Sequence, residues 1–169
     1  MQLTQALGLQ DSQVRAAQRL DNGPVWLSLL LEAPETVLAL QPDHARLRDL
    51  GVKVGAAAAY PKGQPALIAR ANREARASRS APEPVSPEPD LEVRAFAAAS
   101  GILEDPVTGS LNASLAQWLM AEGLMPERYM ASQGVCLGRA GQVYLQRDAQ
   151  GEVWVGGHSV SCIQGQLAL

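Results

Sequence analysis

The chain is poor in residues that staple or ligate. Its 169 residues include two cysteines, Cys136 and Cys162, and two histidines, His44 and His158. Neither CxxC spacing nor a His/Cys cluster is present, which argues against a structural zinc site. Nor is there the cysteine framework of a small secreted scaffold. Both cysteines stand in β-like sequence and read as small core residues. Charged residues make up only 18%, and 14 basic against 17 acidic side chains leave a net charge of −3. That balance gives no general attraction for nucleic acid or for an anionic membrane. The first residues have neither the basic start nor the apolar stretch of a signal peptide. The longest apolar run, near Val25–Leu31, is too short to span a bilayer. A cytoplasmic location is the default, with no membrane partner. Apolar residues are 47% of the chain, and at this length about two thirds of the surface can be buried in one domain.

The pattern of the chain predicts few helices and many strands. Asp11–Leu20 reads as a short helix closed by Asn22-Gly23-Pro24. Val25–Leu31 reads as a buried strand and Glu35–Leu40 as another. Pro42-Asp43 opens a helix that places His44 on its exposed side, with Leu47 and Leu50 inward and Gly51 as its stop. Val52–Tyr60, Ala66–Ala71 and Leu91–Phe96 are strand-like. Between them, about 72–90, lies a stretch of arginines and then prolines expected to be a mobile surface loop. A helix over about Leu111–Glu122 carries an apolar stripe of Leu111, Leu115, Trp118 and Leu119. Strands are expected at Gly134–Leu137, Gln142–Gln146, Val153–Val155, His158–Ile163 and Gln166–Leu169. Asp148–Gly151 is a hairpin-sized turn. Strands and helices do not alternate as βαβ units. The expected architecture is a single α+β domain, a curved and mainly antiparallel sheet around the Leu111–Glu122 helix.

The chemistry concentrates in Gly101–Ser110. Two carboxylates, Glu104 and Asp105, then a proline and Thr108-Gly109-Ser110, precede a helix. A helix start exposes unpaired N–H groups and the positive end of a dipole. Gly109 allows close backbone approach, and Ser110 adds a hydroxyl. The cluster can receive a substrate carboxylate or a developing oxyanion, and Asp105 can transfer a proton or orient a group that does. On the residues alone, a helix cap with exposed acids beside it remains open as well.

The run Glu104-Asp105-Pro106-Val107-Thr108-Gly109-Ser110 resembles the hallmark of the phenazine-biosynthesis (PhzF-like) isomerase family, which has a diaminopimelate-epimerase-like fold. Other pieces match in order: Ala6–Leu9, Asn22-Gly23, Arg94-Ala95-Phe96, Gln133-Gly134, Gly138–Gly141, Gly157–Val160 and Gly165–Leu169. The resemblance covers nearly the whole chain. It implies proton abstraction from carbon and redelivery elsewhere, without metal or organic cofactor, on a small carboxylate-bearing substrate. By carry-over, Asp105 assists proton transfer, and Ser110 with the N–H groups around Gly109 holds the substrate. Glu104 and Thr108 complete the substrate-binding set. Related racemases place a reactive cysteine in this loop, and here the loop has none.

The departures from the family are at the front. Its main acid/base glutamate and its Gly-His-Pro-type motif belong to a first domain, and neither motif occurs in this chain. The resemblance therefore implies a C-terminal half whose N-terminal partner domain is absent. Such a half is expected to work with a separate N-terminal-type half or as a homodimer, with an apolar face left for the partner. The alternative is a non-catalytic small-anion binding or structural module.

Overall fold

The structure, a computed structural model, describes residues 2–61 and 88–167. A short helix α1 (Gln2–Ala6) leads through a 3-10 turn into the hairpin β1 (Val14–Asp21) and β2 (Val25–Leu31). Two more short helices follow, α2 (Pro34–Leu38) and α3 (His44–Asp49), before β3 (Val54–Ala59). Beyond come β4 (Leu91–Ala97), β5 (Ile102–Asp105), the long helix α4 (Gly109–Ala121), β6 (Arg128–Gln133), β7 (Gly141–Arg147) and β8 (Val153–Gly156). All the strands join one sheet in the order β1-β2-β3-β4-β6-β7-β8, with β5 paired to β4. The β2–β3 and β4–β6 pairs are parallel and the others antiparallel, so the sheet is mixed but mainly antiparallel. Strand β4 is the branch point. Its first half pairs with β6 and its second half with β5 along the same side.

Alternation along the strands builds two cores. Trp26, Leu30, Ala57, Leu91, Val93, Ala95, Val143 and Leu145 face α4. Leu29, Leu31, Val54, Ala56, Ala58 and Phe96 face α1, α2 and α3 on the other side. Helix α4 touches β1 and β2 at one side and β7 and β8 at the other, so the sheet curls about it. Its Leu111, Leu115 and Leu119 are fully buried, each contributing about 1.5–3 kcal/mol by removal from water. The alanine run of β3, a poor strand former in isolation, is suited to a strand packed on both faces. Gly55 shows how tight the fit is: an added Cβ would lie 2.4 Å from Leu111 Cδ1.

The α+β architecture and the curved sheet around a central helix stand as expected. The helix itself begins at Gly109, ahead of Leu111, with Thr108 in the capping position. Several local readings are corrected. The helix expected over Asp11–Leu20 is a 3-10 turn (Asp11–Gln13) running into β1. Val14, Ala17 and Leu20 fit a helical stripe, but Val14, Ala16 and Leu20 fit a period of two as well, and pairing with β2 around Gly23 (φ 101°) decides for the strand. The strand expected over Glu35–Leu40 is α2, which opens on Pro34, whose fixed φ suits a first helical turn. Gly134–Leu137 is a 3-10 turn between two left-handed glycines, while the neighbouring strand is β6. Residues 157–167 form no strand and are exposed throughout. Cys136 and Cys162 are exposed free thiols, not core residues. His44 is half-buried, its ring 6.2 Å from that of Phe96. Most of the proline-rich stretch expected at about 72–90, and the whole of Ala66–Ala71, lie outside the described residues. No helix among the described residues is long and apolar enough to cross a membrane.

Candidate active site

Strand β5 sends its two neighbouring acids to opposite faces of the sheet. Asp105 lies opposite Ala95, on the α4 side. Glu104 turns to the other face, where Arg94 holds both its oxygens: Nε to Oε1 at 2.9 Å and Nη2 to Oε2 at 2.8 Å. The Arg94 and Glu104 side chains are 6% and 8% exposed. Arg94 also donates from Nη1 to the carbonyls of Val37 (3.3 Å) and Leu40 (2.9 Å) at the C-terminal end of α2, where a cation suits unpaired carbonyls. Burial opposes the charge of Arg94, but Glu104 outweighs it and holds the guanidinium above its ordinary value. Glu104 thus ties the turn to α2, and its carboxylate is committed there.

A second acid on that outer face, Glu92, is fully buried. Tyr60 donates to its Oε2 at 2.8 Å. Burial pushes its carboxyl up to about 7, against the lowering effects of Tyr60, Ser132 and Arg94. The same burial, with Glu92 beside it, pushes the Tyr60 hydroxyl well above its ordinary value. Cys136 also lies near this cluster, its Sγ 3.5 Å from the Leu38 carbonyl. Desolvation holds its thiol up against the pull of Arg94, which disfavours the nucleophilic thiolate.

On the α4 side the turn after Asp105 is clamped by Gln133, the last residue of β6, which is fully buried. Gln133 Nε2 donates to the Asp105 carbonyl at 2.9 Å and to Thr108 Oγ1 at 3.0 Å. Its Oε1 accepts from Thr108 N at 3.0 Å and from Asn112 Nδ2 at 2.8 Å. Both donors and both acceptors of the amide are used. Thr108 in turn donates from Oγ1 to Asp105 Oδ2 at 2.7 Å. Asp105 Oδ1 has no partner among the described residues.

This arrangement leaves the start of α4 open. Thr108 stands at the capping position, but its hydroxyl is spent on Asp105 and makes no cap bond. The N–H groups of Gly109 and Ser110 have no acceptor among the described residues, as the first turn of a helix requires. The Ser110 hydroxyl accepts from Trp26 Nε1 at 3.2 Å, and Asn22 Nδ2 donates to the Ser110 carbonyl at 3.3 Å. Indole N–H only donates, so the proton of the Ser110 hydroxyl remains free for a ligand. Gly109 is exposed, and an added Cβ there meets nothing within 4 Å. The start of α4 can therefore offer two amides and a hydroxyl to an anion, four and five residues beyond a carboxylate with one uncommitted oxygen.

Two later glycines make room for the turn. A Cβ at Gly134 (φ 91°) would come within 2.6 Å of the Pro106 carbonyl oxygen. A Cβ at Gly141 would lie 2.5 Å from Val107 Cγ2 and 2.6 Å from the Gln133 carbonyl. Of the residues singled out in the sequence, the structure brings Asp105, Thr108, Gly109 and Ser110 together and turns Glu104 away. Arg139 is exposed. His158 lies outside the turn and meets Tyr144, Nε2 to Oη at 3.1 Å. Sequence reasoning missed Gln133, Arg94 and Trp26 as the supports of the turn. The Gln133-Gly134 pair was visible as a motif, but not what the glutamine holds.

A sheet curled around one helix is shared with solved proteins described as PhzF-family phenazine biosynthesis proteins and with a predicted epimerase of Pseudomonas aeruginosa. The phenazine biosynthesis-like protein family matches residues 1–165, and the chain belongs to it. An uncharacterised isomerase of Escherichia coli K12, YddE, is 35% identical over 89 residues, which cover 47% of this chain and 30% of that protein. A Clostridium difficile phenazine biosynthesis PhzC/PhzF protein superposes with a TM-score of 0.63 at 22% identity, covering 99% of this chain and 51% of that one. A Bacillus anthracis phenazine biosynthesis protein of the PhzF family gives 0.62 at 13% identity, covering 90% and 49%. The chain thus spans about half the length of the solved structures it matches.

Proposed function

We propose that this chain is the carboxylate-bearing half of an isomerase site that moves a proton on a small carboxylate-containing substrate without metal or organic cofactor. The observation that carries the reading is the uncapped start of α4 beside Asp105, whose Oδ1 is uncommitted. In this reading the amides of Gly109 and Ser110, with the Ser110 hydroxyl, hold the substrate's carboxylate. Thr108 spends its hydroxyl on Asp105 and contributes by shaping the turn. Asp105 takes the proton: the C–H bond breaks, an O–H bond forms on Asp105, and the electron pair stays on the substrate carbon. The pair spreads into the adjacent carboxylate, where the amides are aimed at the developing charge. Redelivery of the proton at another position needs a second acid/base, which comes from an N-terminal-type half or from a second copy of this chain.

The C-terminal segment supports assembly with another module. Val160, Ile163 and Leu167 are 86%, 94% and 81% exposed, an apolar display that suits a partner surface. The test is solvent-deuterium incorporation into a panel of small carboxylates, followed by NMR, with the full chain alone and together with the N-terminal half of a PhzF-family protein. Incorporation that needs both parts and is lost in Asp105→Asn is the expected result. Incorporation unaffected by Asp105→Asn sinks the catalytic assignment.

A second reading, a small-anion binding module, rests on the turn being clamped entirely by residues of this chain. Binding of acetate or benzoate that is weakened in Ser110→Ala, untouched in Asp105→Asn and unaccompanied by deuterium incorporation favours it.

A further inference from the structure

The amide of Gln133 is held in one orientation by two backbone groups of fixed polarity. The Thr108 N–H can only donate, so the amide atom 3.0 Å from it is Oε1. The Asp105 carbonyl can only accept, so the atom 2.9 Å from it is Nε2. Flipping the amide breaks both contacts and the Asn112 contact to Oε1 as well. Nε2 therefore faces Thr108 Oγ1 and gives it a proton. The hydroxyl's own proton is then directed to Asp105 Oδ2 at 2.7 Å. The hydrogen-bond chain runs one way, from Gln133 through Thr108 to Asp105.

A carboxylate oxygen that receives so short a bond from a hydroxyl of fixed direction carries no proton along that line, and it is the poorer of the two oxygens for a proton elsewhere. We propose that Gln133 is a positioning residue that makes Asp105 a one-sided acid/base: Oδ2 is held as an acceptor of the Thr108 hydroxyl, and the proton is picked up and returned at Oδ1. This deepens the reading above and rests on its assignment of proton transfer to Asp105. One-sidedness matters for an isomerase. A carboxyl group free to hold its proton on either oxygen spends part of its time with that proton buried against Thr108, out of the substrate's reach.

Neutron diffraction from crystals of the deuterated full chain reads the arrangement directly. The expected map shows the deuteron between Thr108 and Asp105 covalently on Oγ1. A deuteron on Oδ2 pointing at Thr108 overturns the proposal, whether or not the chain is an isomerase. Kinetics supply the second arm where deuterium incorporation is found. Gln133→Glu keeps the size and the acceptors of the side chain but cannot donate to Thr108. It should lower kcat about tenfold or more with KM within about twofold, since a proton-transfer group is worth about a hundredfold or more when well placed. Thr108→Val should reproduce that loss, and Thr108→Ser, which restores the hydroxyl, should recover most of it. If Gln133→Glu fails to fold, the Thr108 pair carries the test. An unchanged kcat in Thr108→Val overturns the proposal, and an absence of any incorporation by the parent sinks the isomerase reading while the neutron map still decides the polarity.

Discussion

The turn from Glu104 to Asn112 and the tail from Gly157 to Leu167 are opposites. In the turn, Arg94 neutralises one acid, Gln133 saturates its own hydrogen-bonding capacity, and two glycines clear space for Pro106 and Val107. In the tail, three large apolar side chains stand more than four fifths exposed. Near its start His158 packs edge-on against Tyr144 with ring centroids 5.4 Å apart. The contrast separates what the chain supports by itself from what has the surface character of an unfinished contact. The polar turn is built from contacts within this chain, although the chain spans only half of its structural relatives.

The largest expected effect comes from unlocking the turn. Arg94→Met leaves Glu104 buried and unpaired, which should cost about 3–5 kcal/mol in denaturant unfolding. Hydrogen exchange across Glu104–Gly109 should then rise toward the rate of the tail, and the double variant Arg94→Met/Glu104→Met should recover most of the loss. A loss below about 1 kcal/mol would mean that the pair does not hold the turn.

Next is a pH effect seated on β4. Glu92 has a folded pKa of about 7 against an ordinary 4.5. Between those values the folded chain keeps a proton that the unfolded chain releases. The stabilisation from this group is therefore full below about pH 4.5 and is lost as the pH rises through 7, by about 3 kcal/mol in all. Glu92→Gln should flatten that slope in pH-dependent melting, while NMR signals of the tail stay indifferent to it. A slope unchanged by the substitution would refute the assignment.

Gly141→Ala should cost about 1–3 kcal/mol and shift the amide signals of Val107 to Ser110, because the new methyl meets Val107 and a backbone oxygen. Wild-type spectra from that variant would show the turn to be looser than its contacts indicate. The smallest effect on stability belongs to the tail. Deleting residues 158–169 should change the unfolding free energy by less than about 0.5 kcal/mol, yet weaken association with a second copy or a PhzF-type N-terminal half in sedimentation velocity. A fall of several degrees in Tm would show the tail to be packed on its own domain.

Much of this was legible in the residues. Val25–Leu31 is a strand with the bounds its apolar run suggested, and the Leu111–Leu119 stripe lies on the central helix. The hallmark run did mark the turn where Asp105, Thr108, Gly109 and Ser110 converge. What escaped was decided at a distance. Gln133 meets Thr108 across 25 positions of sequence, and Arg94 meets Glu104 across 10. No local period encodes such contacts. Short elements misled for another reason: β1 and α2 are brief enough that apolar spacing fits either period, and only pairing with β2 or the proline at the helix start settles them. The acids at 104 and 105 both entered the expected site because nothing in Ile102–Asp105 announces a strand. Once it is a strand, alternation assigns one acid to support and the other to the site.

That alternation makes β5 a parity device. At the end of this short strand the two neighbouring acids take opposite faces, with Arg94 meeting Glu104 on one and Thr108 at the start of α4 meeting Asp105 on the other. Evolution can therefore exchange side chains here more freely than it can change the count. One residue inserted between Glu104 and Asp105 would leave every side chain of the turn in the chain and still swing the carboxylate of Asp105 toward the wrong side of the sheet.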